Sequence, residues 1–141
     1  TEFFDPDCPY CHILFEDLYP LVQRGVIRLR MIPVAVIDGH SLARDEALLS
    51  SRHPARTLLL AERGFRNGHI ALSHPSAYQP AIATALAEDR FALSRIDPSD
   101  FLPCLVFTNA AGTVTAQLEG LPSPGVLKRA LAFAGARQRP R

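Results

Sequence analysis

Two cysteines, with only a proline and a tyrosine between them, stand in "DPDCPYCHIL" (residues 5–14), where a short extended segment gives way to a helical pattern. Glu2 to Asp5 is aromatic and partly apolar, and Pro6 ends it, as a strand ends at a turn. Beyond Cys8, the residues Tyr10, Ile13, Leu14, Leu18, Leu21 and Val22 recur at helical spacing, with Gly25 just past the end. Pro9 falls in the first turn, where a missing N–H costs nothing. The cysteines therefore open a helix. Cys8 is expected at the N-cap and Cys11 one turn in on the same face, deeper in the protein.

That placement suits thiol chemistry. A thiol attacks only as the thiolate, and a free cysteine, with its pKa of about 8.5, holds little of that form at neutral pH. The unpaired N–H groups and positive dipole end of a helix favour negative sulfur at Cys8. An exposed nucleophile at Cys8 and a sheltered resolving thiol at Cys11 is the division of labour that exchange requires. Metal binding is the competing reading. The pair with His12 offers three soft ligands, whereas a structural zinc site takes four. Cys104 is remote, and the histidines at 12, 40, 53, 69 and 74 are scattered. No metal site is assigned on this basis.

Three further positions bear on the pair. Pro103, in "FLPCLVF", precedes a strand that reads as central. A trans proline is awkward there, and a cis Leu102–Pro103 bond would let the loop lie against Cys8 and offer the Leu102 backbone to an extended substrate. A trans proline opening an edge strand is the alternative. Glu2, six positions before Cys8, is either an acid beneath the pair that relays the proton of Cys11 or a frayed surface residue. Pro9 and Tyr10 shape the surface around the nucleophile. Cys104 reads as an inert core thiol, because Leu105, Val106 and Phe107 follow it. Asp5, Asp7 and Glu16 read as solvated acids near the mouth, with Asp7 opposing thiolate formation.

The remaining elements follow from pattern. Residues 26–37, "VIRLRMIPVAVI", read as a strand in the middle of a sheet, with Pro33 at a bulge or an end. Residues 41–63 carry two helical stretches with Ser41 and Ser51 as caps, and a loop then leads to a helix from about 77 to 96. "DPSDFLP" reads as extended, "CLVFT" and "TVTAQLEG" as a hairpin joined by "NAAG", and "SPGVLKRALAFAG" as a helix capped by Ser123. A βαβ unit, a helical block and then ββα give an α/β fold with a mixed central sheet. With a cysteine pair opening its first helix, this is the thioredoxin arrangement, carrying an inserted helical block at about 41–96.

The chain's 141 residues, 48% of them hydrophobic and 21% charged, describe one globular domain over 1–141. A net charge of +1 gives no reason to expect nucleic acid or an anionic membrane as partner. No apolar run approaches the roughly 20 residues that span a bilayer, and these residues show no basic start followed by an apolar signal segment. The start reads as a mature form or a domain cut from something longer. "ARQRPR" at the end reads as a solvated tail.

The stretch "FFDPDCPYCHILFEDLYPLVQRGVIRLRMIPVAVI" resembles the catalytic domain of the bacterial DsbC/DsbG-type thiol:disulfide interchange proteins, nearer the DsbG branch. The likeness continues through "ALLSSRHPARTL" and Leu102-Pro103 to "GLPSPGVLKRAL", nearly the whole chain. It implies Cys8 as nucleophile, Cys11 as resolving thiol, Pro103 as cis-proline and a periplasmic setting, with no cofactor beyond the redox-active pair itself. Implied partners are unfolded or misoxidised proteins and a membrane thiol reductase of the DsbD type as electron donor. The family usually has threonine before that proline; Leu102 stands there in this chain. The family's N-terminal dimerisation domain is absent, so this chain is expected to be monomeric and the full-length protein a possible homodimer. "EFF" before the motif, with Glu2 in it, also resembles the DsbA oxidases, which keeps a monomeric oxidase open. A non-enzymatic holdase or metal carrier is the remaining alternative.

Overall fold

The structure, a computed structural model, describes residues 1–68, 70–72 and 79–135. In chain order the elements are β1 (Glu2–Phe4), α1 (Pro9–Gln23), β2 (Met31–Pro33), α2 (Ser41–Leu49), α3 (Pro54–Arg63), α4 (Pro80–Ile96), β3 (Cys104–Thr108), β4 (Val114–Glu119) and α5 (Pro124–Phe133). Among the described residues the strands form one mixed sheet in the order β2-β1-β3-β4, with β1 parallel to β2 and antiparallel to β3. The α/β class, the mixed sheet and the inserted helices are those expected. No helix among the described residues is long and apolar enough to cross a membrane.

Alternation along β1 and β3 decides what faces the cysteines. Phe3 and Cys104 pack with Val34 and Leu93 of α4 on one face. Leu105 and Phe107 pack on the other, against Leu14 and Leu18 of α1 and Leu127 and Ala130 of α5. Fully buried leucines such as Leu14 and Leu18 contribute roughly 1.5–3 kcal/mol each. Glu2 and Phe4 alternate with Phe3, so they point to the α1 side, and Phe4 joins Cys8, Cys11, Leu48, Leu58, Ala61 and Ile70 in one cluster.

Four expectations are corrected. The 26–37 segment contributes only Met31–Pro33 to the sheet, and at its edge rather than its middle. Met31 packs into the cysteine cluster while Ile32 and Val36 pack on the α4 side, so both faces are covered although only one edge is paired. That gives an edge strand the apolar pattern of a central one. Ser41 does not cap α2. Asp38 Oδ1 instead accepts from the His40 and Ser41 N–H groups at 2.6 and 3.0 Å, which leaves the Ser41 hydroxyl for other partners. Ser51 accepts from the His53 N–H at 3.2 Å just ahead of α3, and Ser123 precedes α5 without a side-chain cap bond.

The segment 97–103 turns rather than running extended. The Asp97 carboxylate accepts from the N–H groups of Ser99 and Phe101 at 2.9 and 2.8 Å, and Asp100 adopts φ +55°. Helix α4 begins at Pro80. Its expected start at Ala77, the loop histidines His69 and His74, and the "ARQRPR" tail (136–141) lie outside the described residues.

Candidate active site

Strand β1 runs into the turn Asp5-Pro6-Asp7, closed by the Cys8 N–H donating to the Asp5 carbonyl at 3.0 Å. Cys8 is the N-cap of α1, with extended backbone (φ −92°, ψ 109°) and Pro9 in the first turn behind it. Its sulfur takes over the capping role normally filled by a serine or aspartate oxygen, accepting the Cys11 N–H at 3.2 Å. Cys8, Cys11 and Cys104 are free thiols. The Cys11 thiol donates to the Cys8 sulfur, and with the backbone N–H groups of Cys11 and Tyr10 it lowers the Cys8 pKa against the opposing effect of burial. Burial, and that same donated hydrogen bond, push the Cys11 thiol far upward. Affinity for a proton is thereby lowered at one sulfur and raised at the other, one helical turn apart.

The nucleophile is not open to solvent as expected. Cys8 is 3% exposed and Cys11 2%. Both lie in a cluster with Ile70, against which Phe65, Leu72 and Leu102 also pack. The Ile70 N–H donates to the Pro6 carbonyl at 3.0 Å, which ties the chain after α3 to the turn in front of Cys8. Pro9 and Tyr10 remain on the surface, Tyr10 at 58% exposure. The Leu102–Pro103 bond is cis, Pro103 is fully buried, and Phe101 just before it is exposed. Leu102 touches both the cysteine cluster and the β1–α4 core.

The acids separate into two groups. Glu2 is 0% exposed, and neither carboxylate oxygen has a hydrogen-bond partner among the described residues. Burial, and next the charge of Glu62, push its carboxyl well above the usual range. It is an interior group and not a frayed one. Asp5 and Asp7 are interior as well, contrary to the solvated reading. Asp5 accepts from the N–H groups of Asp7, Val36 and Ile37 at 2.8, 2.8 and 2.9 Å. The Ser41 hydroxyl is shared between Asp5 and Asp7 at 2.8 and 2.9 Å, and Arg44 forms a short ion pair with Asp7. Arg44 thus compensates the charge expected to oppose thiolate formation at Cys8. Glu16 is the exposed acid of the three. Cys104 is buried in the β1–α4 core, and burial raises its thiol to about 11.

Glu62 and Phe65 went unremarked in the sequence, and His12 was weighed there only as a metal ligand. His12 Nδ1 and Glu62 Oε2 are 2.7 Å apart, and the His12 ring stacks on Phe65 at 4.1 Å. The signal for Glu62 was present: Leu58, Ala61 and Glu62 are the buried positions of α3 at i, i+3 and i+4, so this glutamate lies on the apolar stripe.

Comparison with known proteins adds the following. A family model described as a thioredoxin-like domain matches residues 1–135. The chain is 32% identical over 129 residues to the thiol:disulfide interchange protein DsbG of Pseudomonas aeruginosa, covering 92% of this chain and 49% of that protein. It is 28% identical over 125 residues to the thiol:disulfide interchange protein DsbG of Escherichia coli, covering 89% and 49%. The chain thus spans about half the length of these relatives.

Proposed function

This chain belongs to the thioredoxin-like domain family, and on that premise we propose that it is a thiol:disulfide exchange enzyme, an isomerase or reductase of envelope or secreted proteins in the periplasm. The observation that carries the reading is the Cys8 sulfur at the N-cap of α1, accepting the Cys11 N–H at 3.2 Å with its pKa lowered, and Cys11 buried one turn behind it. The names of its relatives, both thiol:disulfide interchange proteins, support the same reading.

The Cys8 thiolate attacks one sulfur of a substrate disulfide. A Cys8–substrate disulfide forms, and the other substrate sulfur leaves as a thiolate. In isomerisation a substrate thiolate then displaces Cys8 and closes a different substrate disulfide, with no net redox change. In reduction Cys11 gives up its proton, attacks Cys8 and closes the Cys8–Cys11 disulfide. The substrate gains two electrons as dithiol, and a thiol reductase of the DsbD type must restore the pair. Glu2 serves as base for the Cys11 proton, being a buried carboxyl whose affinity for a proton desolvation raises. Pro9, Tyr10, Leu102 and Pro103 border the substrate path, and the Leu102 backbone offers strand-like pairing. Because Cys8 is covered, Phe65, Ile70, Leu72 or Leu102 must give way before a substrate sulfur can reach it.

Cys8→Ala tests the reading. A catalyst loses rearrangement of a scrambled disulfide substrate entirely while its circular dichroism is unchanged; retained activity would refute the assignment. The reduction potential of the pair then decides direction. A value near about −180 mV fits shuffling, and one near about −120 mV fits donation by an oxidase of the DsbA kind.

A further inference from the structure

The proton that Cys11 surrenders to Glu2 has no evident exit. Glu2 is fully enclosed, and its strand neighbours, Met31 of β2 and Leu105 of β3, offer no titratable group. The ionisable groups that act on it are Cys8 and Cys11 of α1, Glu62 of α3 and the Thr1 amino group. Of these, the Thr1 amino group is part-buried and donates to the Val106 carbonyl at 2.9 Å, whereas Glu62 belongs to a chain of side chains that reaches the surface. Glu62 is itself nearly buried, yet it meets His12 Nδ1 at 2.7 Å. The opposite ring nitrogen, Nε2, lies 3.8 Å from Glu16, whose side chain is 68% exposed. Phe65 stacked on the imidazole fixes which nitrogen faces inward and which outward.

We propose that Glu62 and His12 form the outlet through which the proton taken from Cys11 by Glu2 passes to solvent, and returns when the pair is reduced. The inference rests on the exchange reading above. The step balances without any added reagent. Cys11 S–H gives its proton to the Glu2 carboxylate, the Cys11 thiolate attacks the Cys8 sulfur, and the Cys8–substrate bond breaks with its electron pair on the departing substrate sulfur. Glu2 then passes the proton toward Glu62, and His12 takes up a proton on one nitrogen and releases one from the other. Neither Glu62 nor His12 touches a reacting sulfur; both act through Glu2. An imidazole suits the outer position because it carries a donor and an acceptor on opposite edges. Burial raises the Glu62 carboxyl, with His12 opposing.

Glu62→Gln and His12→Gln separate this role from a structural one, since glutamine keeps a hydrogen bond in the same place and cannot ferry a proton. The measurement is closure of a Cys8–glutathione mixed disulfide by Cys11, followed from slightly acidic to alkaline pH. Attack by Cys8 is measured separately in a Cys11→Ala background. Both variants should slow closure about tenfold near neutrality, below the roughly 100- to 10,000-fold of a directly acting acid–base group. The deficit should shrink as pH rises or as imidazole buffer is added, and Cys8 attack should stay within about twofold of the parent. Closure at the parental rate and pH profile in His12→Gln overturns the outlet, and this variant decides alone if Glu62→Gln does not fold. A parent chain that never closes the mixed disulfide refutes the exchange reading and the outlet with it. A parent that closes normally, with both variants equal to it, refutes the outlet only.

Discussion

The "DPDC" turn and the strand before it bury acids in opposite ways. Asp5 and Asp7 spend their oxygens on three backbone N–H groups, the Ser41 hydroxyl and the Arg44 guanidinium. Glu2, a few residues upstream and just as buried, has no donor among the described residues. A carboxylate held by several donors and a cation is a fixed anion, and it joins β1, the chain leaving β2 and the start of α2. A carboxylate held by none costs the folded state free energy whenever it ionises. What it would supply, on the proposed mechanism, is a proton affinity that changes during turnover. One group is built to keep its charge, the other to alter it.

The largest effect is expected from removing the first kind. Asp5→Ala strands the buried Asp7 N–H and the part-buried N–H groups of Val36 and Ile37, and deprives Ser41 of one of its two acceptors. Each unsatisfied buried group costs about 1–3 kcal/mol, so the loss should total roughly 3–5 kcal/mol in urea unfolding. A loss under about 1 kcal/mol would mean that these bonds do not join the elements.

Arg44→Met keeps most of the aliphatic stem and removes the cation. It leaves Asp7 buried beside Cys8 with only part of the Ser41 hydroxyl, and should cost about 2 kcal/mol, less than the 3–5 of a wholly buried pair because Arg44 is partly exposed. The sharper readout is the sulfur. With Asp7 uncompensated, the Cys8 thiolate meets an added negative charge, and its titration, followed by ultraviolet absorbance, should move to higher pH. An unmoved titration would show that Arg44 has no part in tuning the pair.

Much of this was legible in the sequence where local chemistry decides it. Pro9, the apolar spacing of α1 and Gly25 (φ +67°) delimit the first helix, and a proline ahead of the central strand β3 pointed to the cis bond. What was not legible arrives from a distance. Ser41 and Arg44 reach Asp5 and Asp7 across 34–37 residues, so these two acids at the turn looked solvated. Ile70, Leu72 and Leu102 come from other parts of the chain to pack around Cys8, and nothing in "CPYC" records them. The edge position of β2 was hidden because apolar pattern reports which faces are covered, not how many strands lie alongside.

Glu2→Gln carries the smallest change in stability and is the most direct test of the contrast. Its folded pKa is raised, by burial first and by the Glu62 charge second, so the folded protein binds more protons than the unfolded chain between the two pKa values. Stability must then fall as pH climbs from the ordinary glutamate range through the folded value, and the part of that fall due to Glu2 should vanish in the glutamine variant. At neutral pH the gain should be on the order of 1–2 kcal/mol, near the cost of a buried polar group without a partner, and it should disappear in acid, where both forms are neutral. The same variant should close the mixed disulfide more slowly, since it cannot take the proton of Cys11. Stability gained with closure slowed is the outcome that separates Glu2 from Asp5, whose removal costs stability. A glutamine variant that gains nothing at neutral pH would mean that Glu2 is already satisfied in solution and belongs with the fixed anions.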